Sequence, residues 1–472
     1  MSAAASILDG MSLAQQVGQV FMVGGPATGV GSATLAEIST YHIGSVILTG
    51  RSYSGLDHTR LVTQQVQAAV SRAATDRVPE LVAADQEGGD VQVLQGPGFS
   101  AIPTALTQGT WSPAYLAAQA RGWGQQLRAA GVNLDLAPVM DTVPVGFVNP
   151  PIGEYDREYG HTPAVVAAEG TAFERGVLGA GVGTTLKHFP GLGRVDANTD
   201  TTAGVTDYVT TYDDPYLAPF RAGVDAGTPF VMMSTAYYQR IDPGVPAAFS
   251  SRIIGGMLRG ELGFHGVVIS DSLGATQVDA WAPANRALDF LSAGGNLALV
   301  TVPSLIPPMY DAVYSRAKAD PAFRSLVRES ALRVLQAKQR LGLLAGLASG
   351  AGGSPTIPPP TAPTTAPVTT TPTENVPTTA TASTAPSSPS PPTAGENQTG
   401  SRRETPHDPV RVLPSSGGAT QAAAGAVTRT TATSRATAVA TTLPSWWRLP
   451  AVGVLVLAVL TFLWSLRRPT RR

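Results

Sequence analysis

Cysteine is absent from this chain of 472 residues, which excludes disulfide bonds and thiolate metal sites but leaves the cellular compartment open. Charged residues are also scarce, at 14%, and the formal net charge is only -1. A basic surface of the kind that nucleic-acid binding needs is therefore not expected. The six histidines show no metal-ligand spacing. We expect no nucleic-acid partner, no metal and no cofactor.

The apolar run from Leu449 to Leu466 contains about 18 residues, which is just enough for a helix to cross a bilayer. Tryptophans flank it, and arginines that follow it favour a cytoplasmic tail, whereas a buried core helix is the weaker alternative. The chain upstream is then expected outside the cytoplasm, at the cell membrane. Since Met1 to Gly10 contains no export signal, we expect the true translation start further upstream.

Residues 348–444 are dominated by Pro, Thr, Ser and Ala and contain few large apolar side chains. Such a composition cannot bury a core, so it predicts a disordered, extended linker. The sequence thus predicts three parts: a catalytic domain at 1–347, the linker at 348–444, and a transmembrane helix with a basic tail at 445–472.

Short β-rich runs alternate with amphipathic or Ala-rich stretches before residue 348, which is typical of parallel α/β folds. Eight runs can be counted: 19–23, 45–49, 81–85, 133–139, 183–188, 230–234, 266–271 and 296–302. Eight β/α units predict a closed (β/α)8 TIM-type barrel. A doubly wound open sheet is the alternative, although no Gly-x-Gly-x-x-Gly motif follows the first run to support nucleotide binding.

Polar side chains end several of these runs. Asp85 ends the third, Asp141 ends the fourth, Lys187 and His188 end the fifth, and Asp271 ends the seventh. A single carboxylate at such a place often caps the next helix. Because active sites of α/β barrels lie at the carboxyl ends of the strands, four such ends together favour an active site.

Two of these segments carry a family resemblance. The segments are Lys187-His188-Phe189-Pro190-Gly191-Leu192-Gly193 and Val267-Val268-Ile269-Ser270-Asp271. They resemble signatures of glycoside hydrolase family 3, in its single-domain branch of β-N-acetylhexosaminidases, and the resemblance covers about residues 10–345. It implies a retaining glycosidase that removes β-linked N-acetylglucosamine from glycans such as peptidoglycan fragments.

The resemblance also assigns roles to individual residues. Asp271 is the expected nucleophile, which forms a glycosyl-enzyme. Lys187 and His188 match the pair that binds sugar hydroxyls, and Asp85 matches the aspartate that holds a hydroxyl at the non-reducing end. Arg157 resembles a loop arginine that contacts substrate. We expect Glu87 to fix its loop through backbone hydrogen bonds and exclude it from the catalytic pair.

The chain departs from the family pattern after its double glycine. Asp90 and Val93 stand where the family usually has two arginines. A guanidinium donates two hydrogen bonds to neighbouring oxygens and valine donates none, so this change affects sugar recognition. A family 3 hydrolase of another specificity, similar to a β-glucosidase, is therefore an alternative.

A second departure concerns the catalytic acid. In this branch an Asp-Ser-His segment supplies a histidine acid/base, whereas Asn198-Thr199-Asp200 aligns here. Asp200 is the expected acid/base and Asp196 its substitute, although the segment could also be a plain turn. To donate a proton near pH 7, Asp200 would need a pKa raised from about 3.9, which costs about 4 kcal/mol. A non-catalytic glycan-binding barrel is the remaining alternative.

Overall fold

The computed structural model describes residues 2–347, which form an eight-stranded parallel barrel surrounded by helices. Each of the eight predicted β runs overlaps a barrel strand. The strands are β1 Phe21–Pro26, β2 Ser45–Thr49, β3 Leu81–Ala84, β4 Leu134–Asp135, β5 Thr185–Phe189, β6 Phe230–Met233, β7 Val267–Ser270 and β8 Ala298–Val300. The predicted α/β barrel of the TIM type is confirmed, and the open-sheet alternative is wrong.

Strand pairing closes the barrel. β8, β1, β2, β3 and β4 pair in that order, and β5, β6 and β7 form a second continuous set. Single parallel bridges join the two sets: Leu134 and Gly183 connect β4 to β5, and Ile269 and Leu297 connect β7 to β8. β4 is shorter than the predicted 133–139 run, although bonds from Leu136 N to Ala84 O and from Thr185 N to Ala137 O continue its contacts with both neighbours.

Side chains alternate between two cores, as expected of barrel strands that are buried on both faces. Met22, Ile47 and Ile269 belong to the set that fills the barrel interior. Their neighbours Phe21 and Val268 belong to the larger core between the strands and the helices. The barrel interior is therefore packed with apolar side chains, and its polar residues gather at the strand ends.

Twelve α-helices within residues 2–347 surround or close the barrel. They are α1 Ala3–Gly10, α2 Leu13–Gly18, α3 Ser32–Thr40, α4 Gly55–Ala68, α5 Arg72–Thr75, α6 Ala105–Gln108, α7 Pro113–Ala129, α8 Pro163–Gly179, α9 Ala218–Ala226, α10 Pro283–Ser292, α11 Ile306–Ala319 and α12 Pro321–Arg340. A π-helix, Arg252–Glu261, connects β6 to β7. The long helices α7 and α8 each begin with a proline, which follows the N-cap residue Ser112 in α7 and Thr162 in α8. The hydroxyl of each N-cap residue accepts a hydrogen bond from a backbone N–H of the first turn.

Helix α12 closes the amino-terminal end of the barrel. Its Val334 and Ala337 pack onto the interior core. Lys338 is fully buried, and its ammonium donates to Gly44 O at 2.7 Å and to Gln19 Oε1 at 2.9 Å. These bonds attach α12 to the strands at the end opposite the active-site mouth.

Within residues 2–347, no helix is both long and apolar enough to span a membrane. The predicted linker at 348–444 and the predicted transmembrane segment Leu449 to Leu466 lie outside the described residues.

The contact between α7 and α8 depends on a glycine. A Cβ on Gly176 of α8 would lie 2.4 Å from Ala117 O and 2.7 Å from Ala120 Cβ of α7, whereas a Cβ on Gly122 would have no neighbour within 4 Å. We predict that Gly176→Ala lowers the free energy of unfolding by about 1–3 kcal/mol through overpacking. Gly122→Ala should raise it by up to about 1 kcal/mol, because alanine has the higher helix propensity. Urea denaturation of both variants checks this, and equal effects would contradict the packing argument.

Candidate active site

A cleft of about 490 Å³ opens at the carboxyl ends of the barrel strands. Its lining contains the predicted nucleophile, the first-choice acid/base and all four predicted substrate-binding residues: Asp85, Arg157, Lys187, His188, Asp200 and Asp271. The fold thus brings together side chains that are separated by up to 186 positions in the sequence (271 minus 85). Their individual roles stay predictions.

Lys187, at the end of β5, is the centre of an ion-pair network. Its ammonium lies 2.6 Å from Asp85 Oδ1 and 2.5 Å from Glu87 Oε1. The Glu87 carboxylate also accepts two hydrogen bonds from Arg157, each 2.8 Å long. The expectation that Glu87 acts through backbone hydrogen bonds is therefore wrong: its side chain joins the two cations that line the cleft.

These contacts fix the charge states of the network. Burial favours a neutral Glu87, but Arg157 and Lys187 outweigh it and hold the pKa of Glu87 at about 2. Burial likewise opposes a charged Lys187, yet Asp85 and Glu87 raise the pKa of the ammonium above its ordinary value. Both cations therefore stay protonated at any working pH and can donate hydrogen bonds to hydroxyl groups.

His188 is oriented by Asp141, which follows β4. Asp141 Oδ2 lies 2.7 Å from His188 Nδ1, and Oδ1 accepts from the backbone N–H groups of His188 and Leu192. The carboxylate is fully buried, so it has three ordered partners in place of water. A proton on Nδ1 leaves Nε2 as the free position of the neutral ring.

Asp271 lies directly after β7. Its backbone N–H donates to Met233 O at 2.9 Å, which continues the pairing with β6 beyond the strand. Its Oδ1 accepts from Ser272 N at 2.8 Å, and the Ser272 hydroxyl lies 2.7 Å from Thr301 Oγ1. The carboxylate is thus held at the cleft by the strand end and the turn after it.

Asp200 lies on the loop that follows the Lys187–Gly193 motif. Its backbone N–H donates to Asn198 Oδ1 at 2.9 Å, which makes a local Asx turn. Its carbonyl accepts from Thr276 N at 3.2 Å, in the segment that follows Asp271. The loop is thereby attached to the same segment of chain that carries the predicted nucleophile. Among the described residues that line the cleft, Asn198 and Asp200 are included and Asp196 is not.

The surroundings of Asp200 raise its pKa toward the range that an acid catalyst needs. Burial by the loop is the main cause and the nearby Asp271 charge the second, and together they raise the pKa of Asp200 to about 6. His188 and Arg157 oppose this shift. By its solvent accessibility, however, Asp200 is an exposed residue, so water weakens both the effect of burial and the repulsion from Asp271 and limits the size of the shift. The direction is the one an acid catalyst needs, although the value stays below 7.

Arg51, which sequence reasoning missed, supplies a cation near both positions where the chain departs from its family pattern. It follows β2 and lines the cleft, and its guanidinium donates to Asp90 O. Ser52 N donates to Val93 O at 2.9 Å, so Arg51 and Val93 lie on neighbouring backbones. The rule that identified Asp85, that a polar residue ends an apolar run, applies equally to Arg51 at the end of 45–49.

This arrangement supplies what glycoside hydrolysis requires. One carboxylate has a raised pKa, a second lies nearby, and buried cations and carboxylates line the same cleft as hydrogen-bonding groups. Among residues 2–347, no cluster of His, Asp or Glu side chains has the geometry of a metal site.

Comparisons with known proteins give a consistent result. Residues 12–337 match the model of the glycosyl hydrolase family 3 N terminal domain. A beta-hexosaminidase of Xanthomonas campestris pv. campestris (strain B100) is 37% identical over 302 residues, which are 61% of this chain and 86% of the relative.

Solved structures are similar as well. A beta-N-acetylhexosaminidase from Beutenbergia cavernae DSM 12333 is 53% identical, with a TM-score of 0.69 over 70% of this chain and 99% of that one. A family 3 beta-N-acetylglucosaminidase from Paenibacillus sp. str. FPU-7 is 29% identical, with a TM-score of 0.65 over 74% and 66% of the two chains.

The family match extends over more than half of the chain and includes every residue of the cleft described above. It confirms the glycosidase that the two sequence motifs predicted. The chain belongs to glycosyl hydrolase family 3.

Proposed function

We propose that this protein is a retaining β-N-acetylhexosaminidase that removes terminal β-linked N-acetylglucosamine from cell-wall or related glycans. The observation that supports it best is the shared cleft of Asp200 and Asp271, in which the surroundings raise the pKa of Asp200 beside a second carboxylate. The names of the relatives point to the same sugar: beta-hexosaminidase in Xanthomonas and beta-N-acetylhexosaminidase in Beutenbergia.

In the first step, Asp271 attacks the anomeric carbon while Asp200 gives its proton to the leaving oxygen. The bond to the aglycone breaks, a glycosyl ester forms on Asp271, and the alcohol leaves. Asp271 loses its charge in this ester, so its repulsion of Asp200 ends and the pKa of Asp200 falls. Asp200, now ionised, takes a proton from water as the water attacks the anomeric carbon, which frees the sugar and restores the protonated Asp200 and the ionised Asp271.

Binding of the terminal sugar is assigned to the ion-pair network. Asp85 keeps part of its side chain exposed beside the buried Lys187, so its carboxylate can accept from a sugar hydroxyl. The same cleft is lined by Lys187, Arg157 and His188. Their side chains can form hydrogen bonds with the other hydroxyl groups of the sugar. Ion pairs hold these side chains in place, which lowers the reorganisation that binding requires.

The sugar specificity is tested by comparing 4-nitrophenyl β-N-acetylglucosaminide with the corresponding β-glucoside, using the full chain. Faster hydrolysis of the N-acetylglucosaminide is expected. Preference for the glucoside would support the alternative specificity that Asp90 and Val93 suggest. Tight binding of the sugar without turnover of either compound would support the non-catalytic glycan-binding protein.

Asp271→Asn should lower kcat by at least about 1000-fold, because an amide cannot form the glycosyl ester. Substrate binding, measured by calorimetry, should stay within about threefold of wild type, since the amide has nearly the same shape. Asp57→Asn is the matched control, because Asp57 is exposed on α4 and, within residues 2–347, forms its ion pair with Arg60. An Asp271→Asn enzyme with a tenth or more of wild-type kcat would remove Asp271 as nucleophile.

Asp200→Asn should lower kcat/KM by about 100-fold or more for glycosides of poor leaving groups, and only slightly for a 2,4-dinitrophenyl glycoside, which needs no proton. For the poor leaving group, wild-type kcat/KM should fall as the pH rises through about 6, because the proton on Asp200 is lost there.

The Asp200→Asn variant should lack this decrease of kcat/KM at high pH. Asp196→Asn is the control on the same loop and should behave as wild type. Equal losses on both substrates would remove Asp200 as the acid.

We further propose that the barrel acts outside the cytoplasm and is held at the membrane by the apolar segment 449–466. The sequence of that segment supports the proposal, with its flanking tryptophans and following arginines. Expression of the full chain and of residues 1–444 in the native host, followed by cell fractionation, tests it. The full chain should sediment with membranes and resist a high-salt wash, whereas the truncated chain should not. Recovery of the full chain among cytoplasmic proteins would contradict the proposal.

A further inference from the structure

The turn Thr276–Val278, which follows the predicted nucleophile by a few residues, holds the loop that carries Asp200. The side-chain amide of Gln277 bonds both backbone groups of Val205: its Oε1 accepts from Val205 N at 2.9 Å, and its Nε2 donates to Val205 O at 3.1 Å. Gln277 is only 1% exposed. Water therefore cannot replace these bonds without opening the structure.

The same turn also holds the tip of the loop. Gln277 N donates to Thr199 O at 3.1 Å, and Thr276 N donates to Asp200 O at 3.2 Å. Thr199 is buried against the turn. The segment 199–205 is thus attached at both of its ends to residues 276 and 277.

The beginning of the loop is fixed by other residues. Asn149 Nδ2 donates to Leu192 O and Val195 O, and Arg194 forms an ion pair with Asp214 at 2.8 Å. These contacts do not involve Gln277. The backbone bonds of residues 276 and 277 to Thr199 O and Asp200 O do not depend on the side chain, and Val205 O also accepts from Tyr237 N at 3.0 Å. Removal of the Gln277 side-chain amide should therefore loosen the segment 199–205, which contains Asp200, and leave the base of the loop in place.

We propose that Gln277 is a positioning residue for the acid catalyst: its amide holds the loop closed, which keeps the Asp200 carboxyl in the cleft and beside Asp271. This inference rests on the proposed function of Asp200. Among the described residues that line the cleft, Ala275 is included and Gln277 is not, so Gln277 acts through the loop. The arrangement connects the acid to the segment that bears the nucleophile, so that both carboxylates keep one relative geometry.

The test uses the full-length protein with Gln277→Leu, which keeps the shape of the side chain and removes both bonds. Gln126→Leu is the matched control. The Gln126 amide also bridges a loop, since it accepts from Ser100 N at 2.9 Å and donates to Ser100 Oγ at 2.8 Å, but it lies on α7. Each substitution removes two hydrogen bonds made by a side-chain amide. Only Gln277→Leu removes bonds to the loop that carries Asp200.

For Gln277→Leu, kcat/KM with a poor leaving group should fall by about 10- to 100-fold, while the value with the 2,4-dinitrophenyl glycoside stays within about threefold of wild type. An opened loop also exposes Asp200 to water, which lowers its pKa. The decrease of kcat/KM at high pH should therefore begin at a lower pH than in the wild type. Gln126→Leu should change neither quantity.

Hydrogen exchange of residues 196–206, followed by mass spectrometry, provides a readout that does not need activity. Exchange should be faster in Gln277→Leu and unchanged in Gln126→Leu. Wild-type exchange rates in Gln277→Leu, or equal losses on both substrates with an unchanged pH profile, would overturn the positioning role. A wild-type protein that hydrolyses no glycoside would instead overturn the proposed function, and the exchange rates would still decide whether Gln277 holds the loop.

Discussion

The buried Lys187 ammonium is the interaction on which the site depends. It is 2% exposed and lies between the carboxylates of Asp85 and Glu87, which come from the end of β3 and the segment after it. A charge without a partner at this depth would be strongly destabilising, so the folded chain requires both carboxylates in place. The Glu87 carboxylate also accepts a hydrogen bond from the Arg157 guanidinium, which comes from the loop after β4. Charge neutralisation therefore connects three neighbouring barrel segments and fixes the donors and acceptors that face the cleft.

The same requirement explains how carboxylates of one barrel take different protonation states. Glu87 has two cationic partners, and its pKa is held at about 2. Asp135 is buried below the network, where burial is the largest effect and raises its pKa to about 8. Asp200 lies between these extremes, because its loop removes part of the water while Asp271 adds a like charge. The number of nearby cations and the remaining water decide which carboxyl can donate a proton.

Sequence patterns predicted the parts of this structure that local physics determines. Continuous apolar runs identified all eight strands, since such runs are typical of strands buried on both faces. The rule that polar residues at the ends of these runs mark an active site identified Asp85, Lys187 and Asp271, because the carboxyl ends of the strands meet at the mouth of the barrel. The contact between Glu87 and Arg157 and the contact between Gln277 and Val205 join positions 70 and 72 residues apart, and nothing in the local sequence signals them. Contacts of that kind depend on how the loops return across the barrel mouth.

Arg51 shows why a motif read along the chain is an incomplete guide to a site. The segment after Gly89 has Asp90 and Val93 in place of the arginines of its family pattern, which suggests a cleft with fewer cations. In the folded protein, the end of β2 runs beside that segment through the parallel bridge between Ser52 and Leu94. Arg51 extends across it to Asp90 O and lines the cleft. The electrostatic field in a cleft depends on where charges lie in space, so an adjacent strand can supply a cation that the motif itself has lost.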